Sequence, residues 1–418
     1  MDVDIAIIGG GPAGLAAAVE AKKQGVKKVL ILERDMELGG ILQQCIHDGF
    51  GVHRFNKRLS GNQYAQAFID MTLESDIDIK LDTMVLEVTP DKEIFACNDV
   101  DGMIHIKCGA IILAMGCRER TASQVFIHGD RPTGVMTAGA VQRYINMEGY
   151  LPGKKAVILG SGDIGLIMAR RMVLEGMDVL GVYEVMADPG GLTRNIVQCL
   201  ADFGIPLHLK TTVTKVKGKE RVESVTIAKV DENIKPIAGT EEVIECDLLV
   251  LAVGLIPENE LSINAGIELD PRTKGPLVDE NFMTCIPGIF AAGNVTVVFD
   301  LVDYVSESGE IAARGAVQYL NGKLPKVMSY QDVEAGDNIS FVVPQRMIVG
   351  GNRDTEENTV FYMRAKTPKK VTKLICDQQG ETIINKTCRH VAPAEMLAVS
   401  LKLSKSEGVS FYMQEKDS

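Results

Sequence analysis

The chain has 418 residues, 46% of them hydrophobic, and a formal net charge of −12. This length exceeds one ordinary hydrophobic core and predicts two or three domains. The negative charge argues against a nucleic-acid partner, which would need a basic face. The nine cysteines are scattered, with no CxxC pair and no zinc-like quartet, so reduced thiols in a cytoplasmic protein without a metal site are expected.

The N-terminal region has one stretch, 5–19, that is uncharged like the core of a signal peptide. Asp2 and Asp4 precede it, where a signal peptide carries basic residues, so we predict a buried strand and turn instead. No stretch of the sequence reaches the ~20 apolar residues of a membrane span. We therefore expect neither a leader nor a spanning helix.

The first predicted unit opens with a strand over 3–8, a helix over 12–25 and a strand over 28–33. A glycine fingerprint joins the first strand to the helix: Gly9, Gly10, Gly11, Pro12, Ala13 and Gly14. Glu33 ends the second strand, 19 residues after the last glycine (33 − 14 = 19). In such a unit the first glycine permits a tight turn, the second lets the backbone approach a pyrophosphate, and the third lets helix and strand pack closely. Because the acid accepts hydrogen bonds from ribose hydroxyls, the pattern predicts a dinucleotide site.

The first unit continues beyond these three elements, and a second unit then repeats its plan. The first unit continues with a helix over 61–75, strands over 78–89, 94–97 and 103–107, and an apolar run at 110–114 that leads into Gly116. The second unit comprises a strand over 155–159, a helix over 163–176, a strand over 178–184, a helix over 191–203, strands near 206–216 and 221–229, and a closing run at 247–254. Each unit is thus predicted to close with an apolar strand that runs into a glycine.

The second unit has its own fingerprint, consisting of Gly160, Ser161, Gly162, Asp163, Ile164 and Gly165. Glu184 follows the last of these glycines by the same 19 residues (184 − 165 = 19). Two fingerprints with matching acids predict two dinucleotide sites on one chain; the alternative is a pair of tight turns without ligand. Since a carboxylate repels a 2′-phosphate, Glu184 favours NAD over NADP. Arg170 or Arg171 would weaken that preference if either reached the site.

The last third of the chain has a different pattern. A strand and turn are predicted over 287–294, and a helix over 306–320. From about residue 327, frequent glycine, proline, asparagine and β-branched residues predict a small β-rich domain.

Together these features resemble the pyridine nucleotide–disulfide oxidoreductase superfamily, flavoproteins in which the first fingerprint holds FAD and the second holds the nicotinamide cofactor. Three further stretches, 113–116, 251–257 and 288–294, are similar to turns of that superfamily. Asn294 stands where the superfamily has an aspartate that contacts the FAD ribityl chain. The resemblance covers roughly residues 1–325.

The resemblance implies an α/β fold with two Rossmann-like dinucleotide-binding domains of the glutathione-reductase type, the second inserted in the first, plus a small C-terminal β-rich domain. The implied boundaries are 1–120 and 285–325 for the FAD domain, 121–284 for the NAD domain and 326–418 for the C-terminal domain. The residues implied to bind FAD are Gly9, Gly11, Pro12, Ala13, Gly14, Glu33, Gly39, Gly40, Gly116, Gly293 and Asn294. Those implied to bind NAD are Gly160, Gly162, Asp163, Ile164, Gly165, Glu184 and Gly254.

Within the superfamily, the stretch 116–139 resembles the alpha subunits of heteromeric sarcosine oxidases and of opine and proline dehydrogenases. It is more similar still to bacterial proteins associated with anaerobic glycerol-3-phosphate dehydrogenase, as are 302–307 and 343–346. The resemblance implies an FAD enzyme that exchanges a hydride with NAD(H) and passes electrons to or from a partner dehydrogenase of the glycerol-3-phosphate dehydrogenase kind. The superfamily often dimerises, which leaves a homo-oligomer open.

The cysteine pair of the superfamily's disulfide reductases is missing. Gly39 and Gly40 are followed by a lone Cys45, with Leu42 and His47 where the pair would lie. The candidate catalytic residues are therefore Cys45, through sulfenic acid chemistry, and His47, as a proton donor beside the flavin; His53 is a second such donor. Their structural alternatives are a small buried hydrophobe and structural histidines. Two other functions thus stay open: a lone-cysteine NADH oxidase or peroxidase, and a non-catalytic nucleotide-binding subunit of a heteromeric dehydrogenase.

Overall fold

The computed structural model describes residues 1–324, 329–349, 358–403 and 408–415. The chain forms two compact units. Unit 1 contains Met1–Cys117 and Pro257–Ser418, and unit 2 contains Arg118–Ile256. The second unit is therefore an insertion between the two segments of the first.

The first segment of unit 1 alternates strands and helices before it ends in a hairpin. Its elements are β1 (Asp2–Ile8), α1 (Pro12–Lys23), β2 (Val29–Leu32), β3 (Asp48–Phe50), β4 (Leu59–Ser60), α2 (Gly61–Leu73), β5 (Asp78–Lys80), β6 (Met84–Val88), β7 (Glu93–Asn98) and β8 (Gly102–Leu113). The sheet order is β5-β2-β1-β8-β7-β6. Four neighbouring strands, β5, β2, β1 and β8, are parallel. Strand β7 is antiparallel to β8, and β6 is antiparallel to β7.

The predicted strand over 103–107 and the apolar run at 110–114 form one strand, β8. Its first half pairs with β7 on one edge and its second half with β1 on the opposite edge, so the pairing changes within a single strand. Gly109 lies at this change, and a Cβ there would come within 2.8 Å of the Asp4 carbonyl oxygen. The glycine that interrupts the apolar pattern therefore permits a close approach of β8 to β1 and does not end the strand.

Unit 2 contains the second nucleotide fold. Its elements are β9 (Cys117–Glu119), β10 (His128–Gly129), β11 (Val135–Thr137), α3 (Ala138–Asn146), β12 (Lys155–Leu159), α4 (Asp163–Leu174), β13 (Asp178–Tyr183), α5 (Thr193–Cys199), β14 (Leu207–His208), β15 (Thr211–Lys217), β16 (Ser224–Lys229), β17 (Glu242–Glu245), β18 (Leu248–Leu251) and β19 (Leu255–Pro257). A parallel sheet has the order β11-β18-β12-β13-β14, and a second sheet has the order β10-β15-β16-β17.

Strand β12 lies in the middle of the parallel sheet and is buried on both faces. Ala156 and Ile158 pack into the cluster formed with α3 and α4. Val157 and Leu159 pack into a second cluster with residues of β15 and β16. A strand covered on both faces has no polar face, which explains its uninterrupted apolar sequence.

The second segment of unit 1 returns to the first sheet. It begins with α6 (Glu260–Asn264), β20 (Ile289–Ala291) and α7 (Val302–Leu320), and β20 pairs parallel with β8. Residues 257–284 were predicted to belong to the inserted domain, but they lie in unit 1, where Val278, Phe282 and Met283 are buried in the core. Helix α7 begins four residues before the predicted 306.

The C-terminal strands have a core of their own. They are β21 (Ser329–Asp332), β22 (Glu334–Ala335), β23 (Ile339–Val343), β24 (Arg346–Val349), β25 (Thr359–Ala365), β26 (Thr372–Gln378), β27 (Glu381–Cys388), β28 (Met396–Leu401) and β29 (Val409–Glu415). Their cluster includes Phe361, Cys376 and Phe411. The Gln345 side chain attaches these strands to the rest of unit 1, because its Nε2 donates to the Asp270 carboxylate at 3.3 Å and its Oε1 accepts from the Val278 N–H at 3.0 Å. The predicted boundary at 325/326 lies outside the described residues.

Candidate functional site

The first glycine fingerprint follows β1 at the carboxyl end of the parallel strands of unit 1. Gly9 has a φ of +109°, and a Cβ there would lie 2.4 Å from the Ala114 carbonyl oxygen. A Cβ on Gly14 would lie 1.9 Å from the Gly9 carbonyl oxygen. Both positions thus require glycine for the turn and for the contact between α1 and β1.

Gly11 has a different environment, because no atom lies within 4 Å of where its Cβ would stand. It is the N-cap residue of α1, and no side chain caps this helix; Pro12 and Ala13 follow in the first turn. The first backbone N–H groups of a helix have no partner within the helix and carry a partial positive charge. The open space at Gly11 therefore lies beside donors suited to an anionic group such as a pyrophosphate.

Glu33 lies at the end of β2 and is only 6% exposed. Its Oε2 accepts a hydrogen bond from the Gly10 N–H at 2.6 Å, and its Oε1 accepts from the Asp35 N–H at 2.9 Å. The Gly39 N–H donates to the Gly10 carbonyl oxygen at 2.9 Å. A Cβ on Gly40 would lie 3.2 Å from the Gly11 Cα. The structure thus brings Glu33 and the two later glycines onto the fingerprint.

The residues that follow β20 lie beside the first fingerprint. Gly293 donates its N–H to the Ser308 Oγ of α7 at 2.9 Å, and a Cβ there would lie 2.8 Å from the Ala13 Cβ. Asn294 accepts from the Phe299 N–H through Oδ1 at 3.0 Å and donates through Nδ2 to the Cys117 Sγ at 3.6 Å. Gly116, directly before Cys117, has a φ of +73° and no atom within 4 Å of an added Cβ.

The second fingerprint reproduces the first within unit 2. Gly160 has a φ of +98°, and a Cβ there would lie 2.2 Å from the Ala252 carbonyl oxygen; at Gly165 it would lie 2.8 Å from the Ala252 Cβ. Gly162 is the N-cap residue of α4, and no side chain caps this helix start. A Cβ on Gly162 would lie 4.0 Å from its nearest neighbour, the Ala252 carbonyl oxygen. Ile164 packs against the core cluster of unit 2, and Gly254 has a φ of +101°.

Glu184, at 7% exposed, holds the second fingerprint as Glu33 holds the first. Its Oε2 accepts from the backbone N–H of Ser161 at 2.9 Å and from the Ser161 hydroxyl at 2.6 Å, while its Oε1 accepts from the Met186 N–H at 2.9 Å. The Ser161 Oγ also accepts from the Gly190 N–H at 2.8 Å. Asp163 accepts from the Leu192 N–H at 2.9 Å. The segment 185–192 is thereby attached to the start of α4.

Three residues at the second fingerprint were not predicted as site residues, although the sequence carries a signal for them: Ser161, Gly190 and Gly191. The Gly190–Gly191 pair begins six residues after Glu184 (190 − 184 = 6), just as Gly39–Gly40 begins six residues after Glu33 (39 − 33 = 6). The duplication therefore extends beyond the acid.

The two arginines near the second fingerprint are engaged elsewhere. Arg170 lies over the ring of Phe203 at 5.7 Å, and Arg171 pairs with Glu175 at 2.6 Å and donates to Asn146 at 3.0 Å. Neither contact directs a guanidinium toward Glu184.

Of the catalytic candidates, Cys45 follows the short 3₁₀ turn Gly40–Gln44, and its Sγ donates to the Ile41 carbonyl oxygen at 3.4 Å. Burial raises the pKa of the Cys45 thiol to about 12, so the reactive thiolate is disfavoured at neutral pH. His47 packs its ring against Phe50 at 5.0 Å, and the backbone N–H of His53 donates to Asp303 at 3.3 Å. None of the nine cysteines, all of which lie in the described part of the chain, forms a disulfide.

The described residues lack two features, a cluster of metal-ligating side chains and a helix suited to spanning a membrane. No group of three or more histidine, cysteine, aspartate or glutamate side chains there is arranged to hold a metal ion. No helix among them combines the length and the apolar character needed to cross a membrane.

Comparison with known proteins identifies the family and the fold of this chain. A sequence model of the pyridine nucleotide-disulphide oxidoreductase family matches residues 3–314. The HcnB component of hydrogen cyanide synthase from Pseudomonas protegens is 28% identical over 286 residues, which are 64% of this chain and 60% of that protein. An opine oxidase subunit from Agrobacterium tumefaciens is 27% identical over 336 residues, 75% of this chain and 65% of that protein. The chain thus spans less than two thirds of the length of either relative.

Among solved structures, thioredoxin reductase of T. acidophilum matches with a TM-score of 0.61 at 24% identity, over 76% of this chain and 98% of that one. This likeness establishes the two-domain α/β fold. Because the family model covers three quarters of the sequence, the chain belongs to the pyridine nucleotide-disulphide oxidoreductase family, whose members are oxidoreductases that use FAD and NAD(P)H.

Proposed function

We propose that this protein is an FAD-dependent oxidoreductase that exchanges a hydride between NAD(H) and flavin without a redox-active disulfide, and that it passes electrons to or from a partner dehydrogenase. The observation that carries the proposal is the presence of two cradles on one chain, each with an open glycine at an uncapped helix start and a buried glutamate at the next strand end.

The first cradle fits FAD. The space at Gly11 would take the pyrophosphate beside the N–H groups of α1, and Glu33 would accept the adenosine ribose hydroxyls. The other proposed FAD residues are Gly9, Pro12, Ala13, Gly14, Gly39, Gly40, Gly116, Gly293 and Asn294. Bound FAD supplies the two-electron hydride chemistry, while this chain supplies binding and orientation. Asn294 would offer an amide where the superfamily has a carboxylate, and an amide is still able to hydrogen-bond a hydroxyl.

The second cradle fits NAD. Gly162 leaves space at the start of α4, and Glu184 is buried with backbone N–H groups and a serine hydroxyl as its hydrogen-bond donors. The other proposed NAD residues are Gly160, Asp163, Ile164, Gly165 and Gly254. A carboxylate that accepts from a ribose hydroxyl would repel the 2′-phosphate of NADP, and Arg170 and Arg171 are engaged with Phe203 and Glu175 instead. NAD(H) is therefore the proposed nucleotide.

The environment of Cys45 argues against both sulfur-based alternatives. A dithiol relay needs a second cysteine nearby, and the sequence has none within fifty residues of Cys45. A lone-cysteine oxidase or peroxidase needs a thiolate, which the raised pKa disfavours. His47 stays a candidate for proton transfer.

The partner is proposed from the relatives. Two of them are named as subunits, one of opine oxidase and one of hydrogen cyanide synthase. The resemblance of 116–139 to proteins associated with glycerol-3-phosphate dehydrogenase makes that class of dehydrogenase the proposed electron partner. The same two names favour one second candidate, a non-catalytic nucleotide-binding subunit.

Anaerobic titration of the purified, FAD-loaded chain with NADH and with NADPH tests the proposal. Loss of the flavin absorbance on NADH addition, at a lower concentration than with NADPH, is the expected result. Retained FAD that NADH does not reduce would support the non-catalytic subunit. Protein that is folded but takes up no FAD would refute both.

A further inference from the structure

The two buried glutamates differ in how much of their hydrogen-bonding capacity the protein already uses. An ionised carboxylate has about four acceptor sites, two on each oxygen. Glu33 accepts one bond on each oxygen, from the Gly10 N–H and from the Asp35 N–H. One site therefore stays open on each oxygen of Glu33.

The protein occupies more of the acceptor sites of Glu184. Its Oε2 accepts both the backbone N–H and the hydroxyl of Ser161, and its Oε1 accepts the Met186 N–H. Both sites of Oε2 are thus occupied, and one site stays open on Oε1. The difference from the first cradle comes from a single side chain, because the residue that corresponds to Ser161 in the first fingerprint is Gly10.

The direction of the Ser161 hydroxyl is determined by its second contact. Ser161 is fully buried, and its Oγ accepts the Gly190 N–H at 2.8 Å. Since Gly190 occupies an acceptor site of the hydroxyl, the single O–H proton is available for the Glu184 Oε2 at 2.6 Å. The segment 185–192 therefore keeps this hydroxyl directed at the glutamate.

We infer that Ser161 is a specificity-determining residue, through which the second cradle recognises only one hydroxyl of the adenosine ribose, whereas the first is able to recognise both. The inference rests on the proposed function to the extent that the second cradle binds an adenine nucleotide. A ribose presents two adjacent hydroxyls, and a carboxylate with one open site on each oxygen accepts from both. Glu184, with one open site in all, accepts from one. The second cradle thus accepts adenine nucleotides that lack the other hydroxyl.

Calorimetric binding of ADP, 2′-deoxy-ADP and 3′-deoxy-ADP to the full chain loaded with FAD tests this inference, since the bound FAD leaves only the second cradle for these probes. For the wild-type protein we expect one deoxy analogue to bind within about twofold of ADP and the other about tenfold more weakly, the loss of one hydrogen bond to a charged group. Ser161→Gly, which restores the residue of the first cradle, and Ser161→Ala should both make the two analogues about tenfold weaker than ADP.

The comparison is a ratio within each protein, so a general change in affinity from a looser segment 185–192 cancels. Retained FAD shows that each variant is folded. The inference is overturned if wild-type protein discriminates equally against both analogues, or if the variants keep the wild-type ratios. Binding of neither ADP nor NADH would refute the proposed NAD site and this inference together. One-hydroxyl discrimination in a protein whose flavin NADH does not reduce would refute the proposed hydride exchange alone.

Discussion

A methyl group added at Gly162 or at Gly11 tests each cradle separately. Both residues have extended backbone conformations, with φ of −63° at Gly162 and −78° at Gly11. Alanine adopts such angles without strain. A Cβ at Gly162 would be 4.0 Å from its nearest neighbour, and at Gly11 no atom lies within 4 Å. Gly162→Ala and Gly11→Ala should therefore fold as the wild type does.

Each methyl group would nevertheless project into the space proposed for a pyrophosphate. It would displace that group by about one C–C bond length, ~1.5 Å, away from the N–H donors of the helix. The loss of one hydrogen bond to a charged group costs about 1.5–3 kcal/mol. The Kd of the affected nucleotide should thus rise about 10- to 100-fold.

The two variants serve as controls for each other. Gly162→Ala should weaken NADH binding, measured by calorimetry on FAD-loaded protein, and retain FAD through gel filtration. Gly11→Ala should lose FAD and still bind NADH. The reasoning would be refuted if Gly162→Ala bound NADH with the wild-type Kd, or if both variants lost both nucleotides while their circular dichroism stayed unchanged.

Two further predictions concern single residues of unit 1. Cys45→Ser should leave the rate of NADH oxidation with oxygen or hydrogen peroxide as acceptor within about twofold of wild type, since burial raises the pKa of the thiol to about 12 and so disfavours the thiolate; a loss of most of that rate would restore the lone-cysteine mechanism. Full burial, followed by the charge of Glu280, raises the pKa of Asp279 above its ordinary value of 3.8. The stabilising contribution of Asp279 is therefore present below that ordinary value and is lost as the pH rises toward the folded-state pKa. Asp279→Asn, which mimics the protonated acid, should reduce the fall of Tm as the pH rises from mildly acidic to mildly alkaline and exceed the wild-type Tm at the alkaline end. An unchanged Tm profile would show that this carboxyl does not control the pH dependence.

The cradles were predictable from sequence because their requirements are local. Gly9 and Gly160 need a positive φ. Gly14 and Gly165 each need a close approach to the carbonyl oxygen of the glycine five residues earlier, Gly9 and Gly160. Such requirements restrict residue type at fixed spacings, so they repeat wherever the unit repeats. The α/β fold class and the inserted arrangement followed from these repeats together with the family resemblance.

Other features depended on residues far apart in the chain. The placement of 257–284 in unit 1 follows from the burial of Val278 and Phe282 against strands near the N-terminus, and no local pattern encodes that choice. The union of two predicted strands into β8 required knowing that β7 pairs with its first half and β1, on the opposite edge, with its second half. The raised pKa of Cys45 likewise follows from burial of the thiol by the folded chain and not from its neighbours in sequence.

The sequence by itself thus determined that the chain carries two nucleotide folds and where their glycines and acids stand, because steric limits on the backbone act over short distances. Only the tertiary structure decided how many acceptor sites each glutamate keeps open. Ser161 and Gly190 are 29 residues apart, and their hydrogen bonds around Glu184 exist only once strand, helix and loop have packed together.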